Sequence, residues 1–187
     1  MKLSILTPSI PERFQQVNRL RKKIEKQIGD LDVEHLILID NKKRTIGEKR
    51  QALINSANGV FVSFVDDDDD VSDDYVKSIY SAALGEPDVI TFRQKAKYND
   101  FESEIIFKAE NTDTGFNPGG ETLRGPWHVC AWRKAAIEGC QFLSCNYGED
   151  LAWSLQARRR IQTTIHIDRV LHYYRHSSKT TAAPESR

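Results

Sequence analysis

Three short apolar runs, each ending in a polar cluster, constrain this chain more than any other feature. Leu3-Ser4-Ile5-Leu6 runs into Thr7-Pro8-Ser9, Leu36-Ile37-Leu38-Ile39 into Asp40-Asn41, and Val60-Phe61-Val62-Ser63-Phe64-Val65 into the aspartates Asp66 to Asp70. Runs of this length, rich in branched and aromatic residues, read as buried strands. Between the first two, residues 12–28 place Val17, Leu20, Ile24 and Ile28 on one helical stripe, with Gly29 where a C-terminal cap belongs. A second helix is expected from about 46 to 57, stopped by Asn58-Gly59. A third follows Ser72, with Asp73 and Asp74 in its first turn, where the helix dipole favours acids, and Val76, Ile79, Tyr80, Ala83 and Leu84 as its buried face. Strand and helix alternating in this way is the rhythm of an α/β chain with a parallel sheet and crossover helices.

The second half changes character. Val89-Ile90-Thr91-Phe92 and Ile105-Ile106-Phe107 read as strands separated by a polar turn at Asn99-Asp100. Residues 111–126, rich in Gly, Asn, Thr and Pro, read as a long loop. A short helix near 133–138, a longer one from about 148 to 160, and two strands, 163–167 and 170–174, complete the expectation. The last residues, 177–187, are small and polar and are expected to fray. No internal repeat and no linker divides the chain, so residues 1–176 read as one domain, with 1–85 and 86–176 as its two halves.

Charge and cysteine content narrow the function. The 27 basic residues equal the 27 acidic ones, which removes the basic surplus of a non-specific nucleic-acid binder. No apolar run approaches the roughly 20 residues of a membrane span, and the N-terminus lacks a signal peptide's apolar stretch. Cys130, Cys140 and Cys145 are odd in number and lack zinc spacing, so they read as reduced thiols of a cytoplasmic protein.

In a parallel α/β sheet, ligands bind beyond the C-terminal strand ends near a topological switch. The polar clusters after the three apolar runs should therefore share one rim. Adjacent carboxylates repel one another, and a hard cation such as manganese or magnesium relieves such a cluster and also holds phosphates. A calcium-binding EF-hand loop is the competing reading, since Asp66, Asp68 and Asp70 have its first, third and fifth spacing. That reading fails where Gly is required, at Val71, and where Glu is required, at Lys77. A solvated acidic loop leading into the next helix is the simpler account of Asp73 and Asp74.

Phe64-Val65-Asp66-Asp67-Asp68-Asp69, followed by Ser72 and Asp74-Tyr75-Val76, resembles the DXD segment of family 2 glycosyltransferases. Ile46-Gly47-Glu48-Lys49-Arg50-Gln51-Ala52, with Ala57-Asn58-Gly59, is similar to the stretch that leads into that motif. Trp132-Arg133-Lys134-Ala135, Gly139, Phe142 and Gly148-Glu149-Asp150-Leu151 resemble the family's acceptor-side segment with its ED dipeptide. The resemblance runs in order from residue 3 to about 176. It implies a GT-A fold, Rossmann-like, with a mixed central sheet flanked by helices. It also implies an inverting, metal-dependent transfer of a sugar from a nucleotide-sugar donor, UDP-linked, to a hydroxyl acceptor.

Roles follow from the same resemblance. Thr7, Pro8, Arg13, Asp40, Arg50, Asp66 and Asp67 would contact the donor, and Asp66 and Asp68 the Mn2+ or Mg2+ ion. Asp150 would be the general base, with Glu149 as support or acceptor contact. Trp127 and His128 would face the acceptor. His176 would be a further metal ligand, with His172 competing for that place. Simpler readings stand beside these: Arg50 as a helix-surface ion pair with Glu48 or Asp40, Gly148-Glu149-Asp150 as a helix N-cap with acidic first-turn residues, and His128 as packing for its loop. Trp153, His35 and His166 are expected to be structural, and Arg158-Arg159-Arg160 to be a solvated helix end. The acceptor is open: a glycan fits the resemblance, and a modified base in DNA is the minority alternative. A nucleotidyltransferase would need more basic residues near position 10 than Arg13 alone. A non-catalytic nucleotide or metal binder would not need Asp150.

Overall fold

The structure, a computed structural model, describes residues 1–176, with the backbone alone at His176. The expected tail at 177–187 lies outside the described residues. Strand β1 (Leu3–Ser9) is buried along its whole length, parallel to β2 (Val33–Ile39) on one side and to β3 (Phe61–Phe64) on the other. Alternation divides its side chains between two cores. Leu6 joins Leu53, Val62, Phe64, Trp132, Phe142 and Trp153 on one face, while Leu3 and Ile5 join Leu20, Ile24, Phe61, Ile79 and Leu171 on the other. A single 3-10 turn (Pro11–Arg13) opens α1 (Phe14–Ile28), whose Val17, Leu20 and Ile24 are buried as the stripe requires. Helix α2 (Ile46–Ser56) begins with a reciprocal capping box between Thr45 and Glu48. Helix α3 (Tyr75–Ala83) follows the aspartates, which include the two-residue strand β4 (Asp70–Val71). Asp73 and Asp74 precede α3, and Asp74 accepts from the Ser72 and Ser78 hydroxyls and pairs with Arg169.

The second half continues the same sheet with mixed polarity. Strand β5 (Val89–Tyr98) hairpins to β6 (Phe101–Phe107), turning at Asn99 with φ of 52°. The order is β2-β1-β3-β8-β5-β6-β7, with β7 (Glu121–Arg124) at the edge and β8 (Ala131–Arg133) antiparallel to both β3 and β5. Helix α4 (Glu149–Arg158) packs beside α2, and β9 (Thr164–His176) runs parallel to β5 and antiparallel to β4.

Three local expectations are corrected. Residues 111–126 are not all loop: β7 (Glu121–Arg124) pairs with β6, anchored by the buried Thr122 hydroxyl against Ser103. In place of the helix expected near 133–138, Arg133 ends a strand and residues 134–139 form successive turns. Trp132 is paired across the sheet to Val62 and Val89, and the Arg133 guanidinium is tied to Asp88. The two last strands are one, because register shifts at Phe92/Arg93 and Arg93/Gln94 absorb residues 168, 169 and 171 without breaking the pairing.

The two halves of the sheet approach one another at the start of α2. A Cβ at Gly47 would lie 1.8 Å from the Leu143 carbonyl oxygen, and the Gly47 N–H donates to Cys145 O at 3.2 Å. Glycine is therefore required by the close passage of the 143–146 segment that leads into α4. Gly47→Ala would gain about 1 kcal/mol in an isolated helix, but here the overlap with fixed backbone dominates. The variant is expected to lose about 1–3 kcal/mol, read as a lower midpoint in chemical denaturation; an unchanged or raised midpoint would contradict the packing.

Candidate active site

The C-terminal ends of β1 and β3, the N-terminal half of α2 and the first turn of α4 meet at one place. Arg50, 3% exposed, is its centre. Its Nη1 and Nη2 donate to the two oxygens of Asp66 at 2.9 and 2.8 Å, and its Nε donates to Glu149 Oε1 at 3.3 Å. The guanidinium also lies over the Phe64 ring, 5.2 Å from the centroid. Burial alone would raise the Asp66 carboxyl, but Arg50 outweighs it and holds it below its ordinary range. Burial keeps Glu149 above its ordinary value even beside the same cation. The surface pairing of Arg50 with Glu48 or Asp40 is overturned: Glu48 serves the capping box, and Lys49 is the residue beside Asp40, at 3.4 Å.

The aspartates divide by environment. Asp67 is buried, accepting from Ser9 Oγ at 2.6 Å and Arg13 Nη1 at 2.8 Å. Asp68 pairs with the same Arg13 nitrogen at 2.9 Å. Burial and the Asp66 charge still push the Asp68 carboxyl up to about 6. Asp69 is fully enclosed, with Oδ1 lacking a hydrogen-bond partner and Oδ2 3.4 Å from His172 Nε2. Burial, with Asp66 and Asp68, raises it well above its ordinary value. Asp70 is turned away to Lys23 at 3.0 Å. The loop thus carries more negative charge than Arg13, Arg50 and Lys23 neutralise, which suits a hard cation at Asp68. Among the described residues no three His, Cys, Asp or Glu side chains converge as a metal-ligating group.

Other expected residues fall as follows. Thr7 is fully buried, its hydroxyl donating to Val65 O at 2.8 Å and lying 3.0 Å from His35 Nε2, so it braces the rim from behind. Pro8 is buried beside it. Asp40 accepts from the Lys42 and Arg44 backbone N–H groups, fixing the turn after β2. His172 is fully buried, with Nδ1 2.9 Å from Gln94 Nε2, and burial pushes its imidazole down to about 4. The side chain of His176 lies outside the described residues.

In the second half of the chain, Asp150 is in the first turn of α4, its side chain 31% exposed. The capping position is Gly148, with φ of 79° and no side-chain cap bond, and Glu149 and Asp150 are the acidic residues of the first turn, as the simpler reading of this tripeptide has it. One Asp150 oxygen accepts from the Leu151 N–H at 2.8 Å, and the other lies 3.9 Å from His128 Nδ1. His128 is buried in the turn before β8, leaning on Phe64 with ring centroids 6.1 Å apart. Burial, reinforced by Arg50, pushes it down to about 4, so it is neutral at pH 7. Trp127 is half-buried under the Arg158 guanidinium, 5.2 Å from its ring, and Trp132 and Trp153 are core. Arg158 is therefore not a solvated helix end: it also binds Asp113 and the Gly125 and Pro126 carbonyls. His35 and His166 are structural as expected, each 3.0 Å from a threonine hydroxyl of a neighbouring strand.

Sequence reasoning missed Ser9, Lys49 and Asp69. Lys49, 5% exposed, donates to Ser9 O at 3.2 Å and so ties α2 to the end of β1. Its only signal was a second cation beside Arg50 in a helix facing an acidic rim.

No family model and no curated protein matches the sequence, whereas solved structures match the fold. The S. aureus TarS 1-349 structure in complex with UDP-GlcNAc superposes with a TM-score of 0.69 at 14% identity, covering 97% of this chain and 60% of that one. The TarS 1-349 complex with UDP gives 0.67 at 16% identity, covering 95% of this chain and 61% of that one. TarS itself gives 0.64 at 16% identity, with 95% of this chain and 37% of that one covered. The chain thus spans about three fifths or less of the length of these neighbours, and it has the GT-A fold.

Removing the central cation tests the site's construction. Arg50→Met would leave Asp66 and Glu149 as unpaired acids in the cleft, and a loss of about 3–5 kcal/mol is expected. Arg50→Lys should recover only part of it, because an ammonium cannot repeat the two-pronged pair. Denaturant melts of both variants provide the check, and a change in Arg50→Met below about 1 kcal/mol would contradict the burial argument.

Proposed function

We propose that this GT-A chain is an inverting, metal-dependent glycosyltransferase of the family 2 type, using a UDP-sugar donor. The observation that carries the reading is the bridge made by Arg50, which brings the Asp66–Asp68 loop and the Glu149-Asp150 dipeptide into one cleft. The fold neighbours, solved with UDP-GlcNAc and with UDP, support a uridine nucleotide as the donor's leaving half.

In this reading the chain's residues divide the work. Arg13, Asp40 and the end of β1 frame the nucleotide, and Arg13 also orders the aspartate loop through Asp67 and Asp68. Asp68 is the carboxylate with charge to give to a bound Mn2+ or Mg2+; His176 remains a proposed further ligand. Such an ion supplies charge stabilisation to the leaving diphosphate. Asp150 takes the proton of an acceptor hydroxyl as that oxygen attacks the anomeric carbon, and the bond from that carbon to the diphosphate oxygen breaks. A single base and direct displacement invert the anomeric centre. Glu149, held by Arg50, fixes the start of α4 and so the place of Asp150. The acceptor is proposed to be a glycan hydroxyl, met by Trp127 and His128.

Two substitutions test the assignment. Asp150→Asn keeps size and charge-free hydrogen bonding but removes the basic oxygen, so kcat should fall about 100-fold or more with donor binding and melting temperature nearly kept. Near-normal turnover, or a product that retains the donor's configuration, would remove Asp150 from the role.

Asp68→Asn separates function from stability. The folded carboxyl titrates near 6, above its ordinary value. A raised acid destabilises the fold when ionised: the penalty is absent below about pH 4, grows as pH rises through 6, and is complete at pH 7. The metal-free variant at pH 7 should therefore be more stable by about 1–2 kcal/mol while losing turnover, and the gain should vanish at pH 4. A variant destabilised at pH 7, or one that stays fully active, would refute this role.

A further inference from the structure

His128 is the described cleft residue whose two ring nitrogens both lack a hydrogen-bond partner while the residue is 6% exposed. A buried unpaired polar ring is costly, and most such groups in folded proteins are matched. The Phe64 ring beside it cannot supply a partner, and the turn that carries it is fixed by the Cys130 N–H donating to Trp127 O at 3.0 Å. The nearest complementary group is the Asp150 carboxylate, whose Oδ2 lies 3.9 Å from Nδ1. That gap is about 1 Å longer than a hydrogen bond, and Asp150 is the partly exposed member of the pair. Its other oxygen already accepts from the Leu151 N–H, so its orientation is half set. A neutral imidazole offers one donor and one acceptor, and which nitrogen carries the proton decides what it can hold.

We propose that His128 is a positioning residue for the general base: its Nδ1–H closes onto Asp150 Oδ2 when the cleft is filled, locking the carboxylate toward the acceptor hydroxyl. This rests on the reading of Asp150 as the base. Holding a carboxylate from a rigid, buried turn costs little reorganisation at the moment of reaction, and a misplacement of about 1 Å is worth on the order of 100-fold in rate. The unpaired Nδ1 is then a feature of the empty cleft, which the closed pair repairs, while Nε2 keeps no protein partner.

The test is a double-mutant cycle on the full chain. Release of UDP, dTDP or GDP is followed from a panel of nucleotide sugars with Mn2+ and water as acceptor, using the donor the wild type turns over fastest. His128→Phe should lower kcat about 100-fold with donor KM nearly unchanged and no drop in melting temperature, since it removes an unpaired polar group. His128→Asn, whose amide can reach toward the same carboxylate, should recover to within about tenfold of wild type, and it also serves if the phenylalanine variant folds poorly. In an Asp150→Asn background, His128→Phe should cost less than about threefold, because coupled residues are not additive. Equal losses in both backgrounds would overturn the proposal, as would unaltered kcat in His128→Phe. Normal turnover of Asp150→Asn alone would instead reject Asp150 as the base, so the two failures are distinct. Nitrogen-15 NMR of the ring with UDP and Mg2+ gives a readout independent of turnover. Protonation at Nδ1 is expected, and protonation at Nε2 alone would overturn the assignment.

Discussion

The guanidinium of Arg50 is the interaction on which the cleft depends. It is buried at the junction of α2, the end of β3 and the start of α4, and it binds a carboxylate from each half of the chain. A buried cation is costly unless its partners are well placed. Here a two-pronged pair with Asp66, a second acid in Glu149 and the Phe64 ring face compensate together. Because Asp66 opens the aspartate loop and Glu149 opens α4, the same contact fixes the distance between these elements of the two halves of the chain. Arginine rather than lysine suits this place because its planar fork meets two groups at once. Gly47, one turn earlier on α2, lets the segment before α4 pass close enough for the contact to form.

Much of the first half was legible in the sequence because its signals are local. Apolar runs with polar ends gave β1, β2 and β3, and a 3.6-residue stripe gave α1. The second half was harder because tertiary contacts there override local pattern. Glu121–Arg124 has an ordinary turn-rich sequence and becomes a strand only because Thr122 meets Ser103 across β6. Arg133 heads a helix-like segment, yet its neighbours are held in turns by the sheet and by Asp88. The break expected between residues 167 and 170 disappears because β5 is long enough to pair through an irregularity.

The site was legible as residue types and less so as geometry. The DXD-like and ED-like segments were readable, but the partition of labour among the aspartates depends on partners scattered through the chain. Ser9 donates to Asp67, Arg13 is shared between Asp67 and Asp68, Lys23 draws Asp70 away, and His172 stands behind Asp69. Burial and the Asp66 charge still raise the Asp68 carboxyl. The isolation of His128 could not be read from sequence at all, since an unpartnered nitrogen is a statement about surroundings.

The central claim is that this cleft holds a uridine nucleotide through a metal bound at the aspartate loop. Calorimetric titration of UDP into the protein, once with Mn2+ and once with excess EDTA, tests it most directly. The account predicts saturable one-site binding with Mn2+ and a loss on the order of tenfold or more without it, about 1.4 kcal/mol. Equal binding in EDTA, or no binding under either condition, would contradict it.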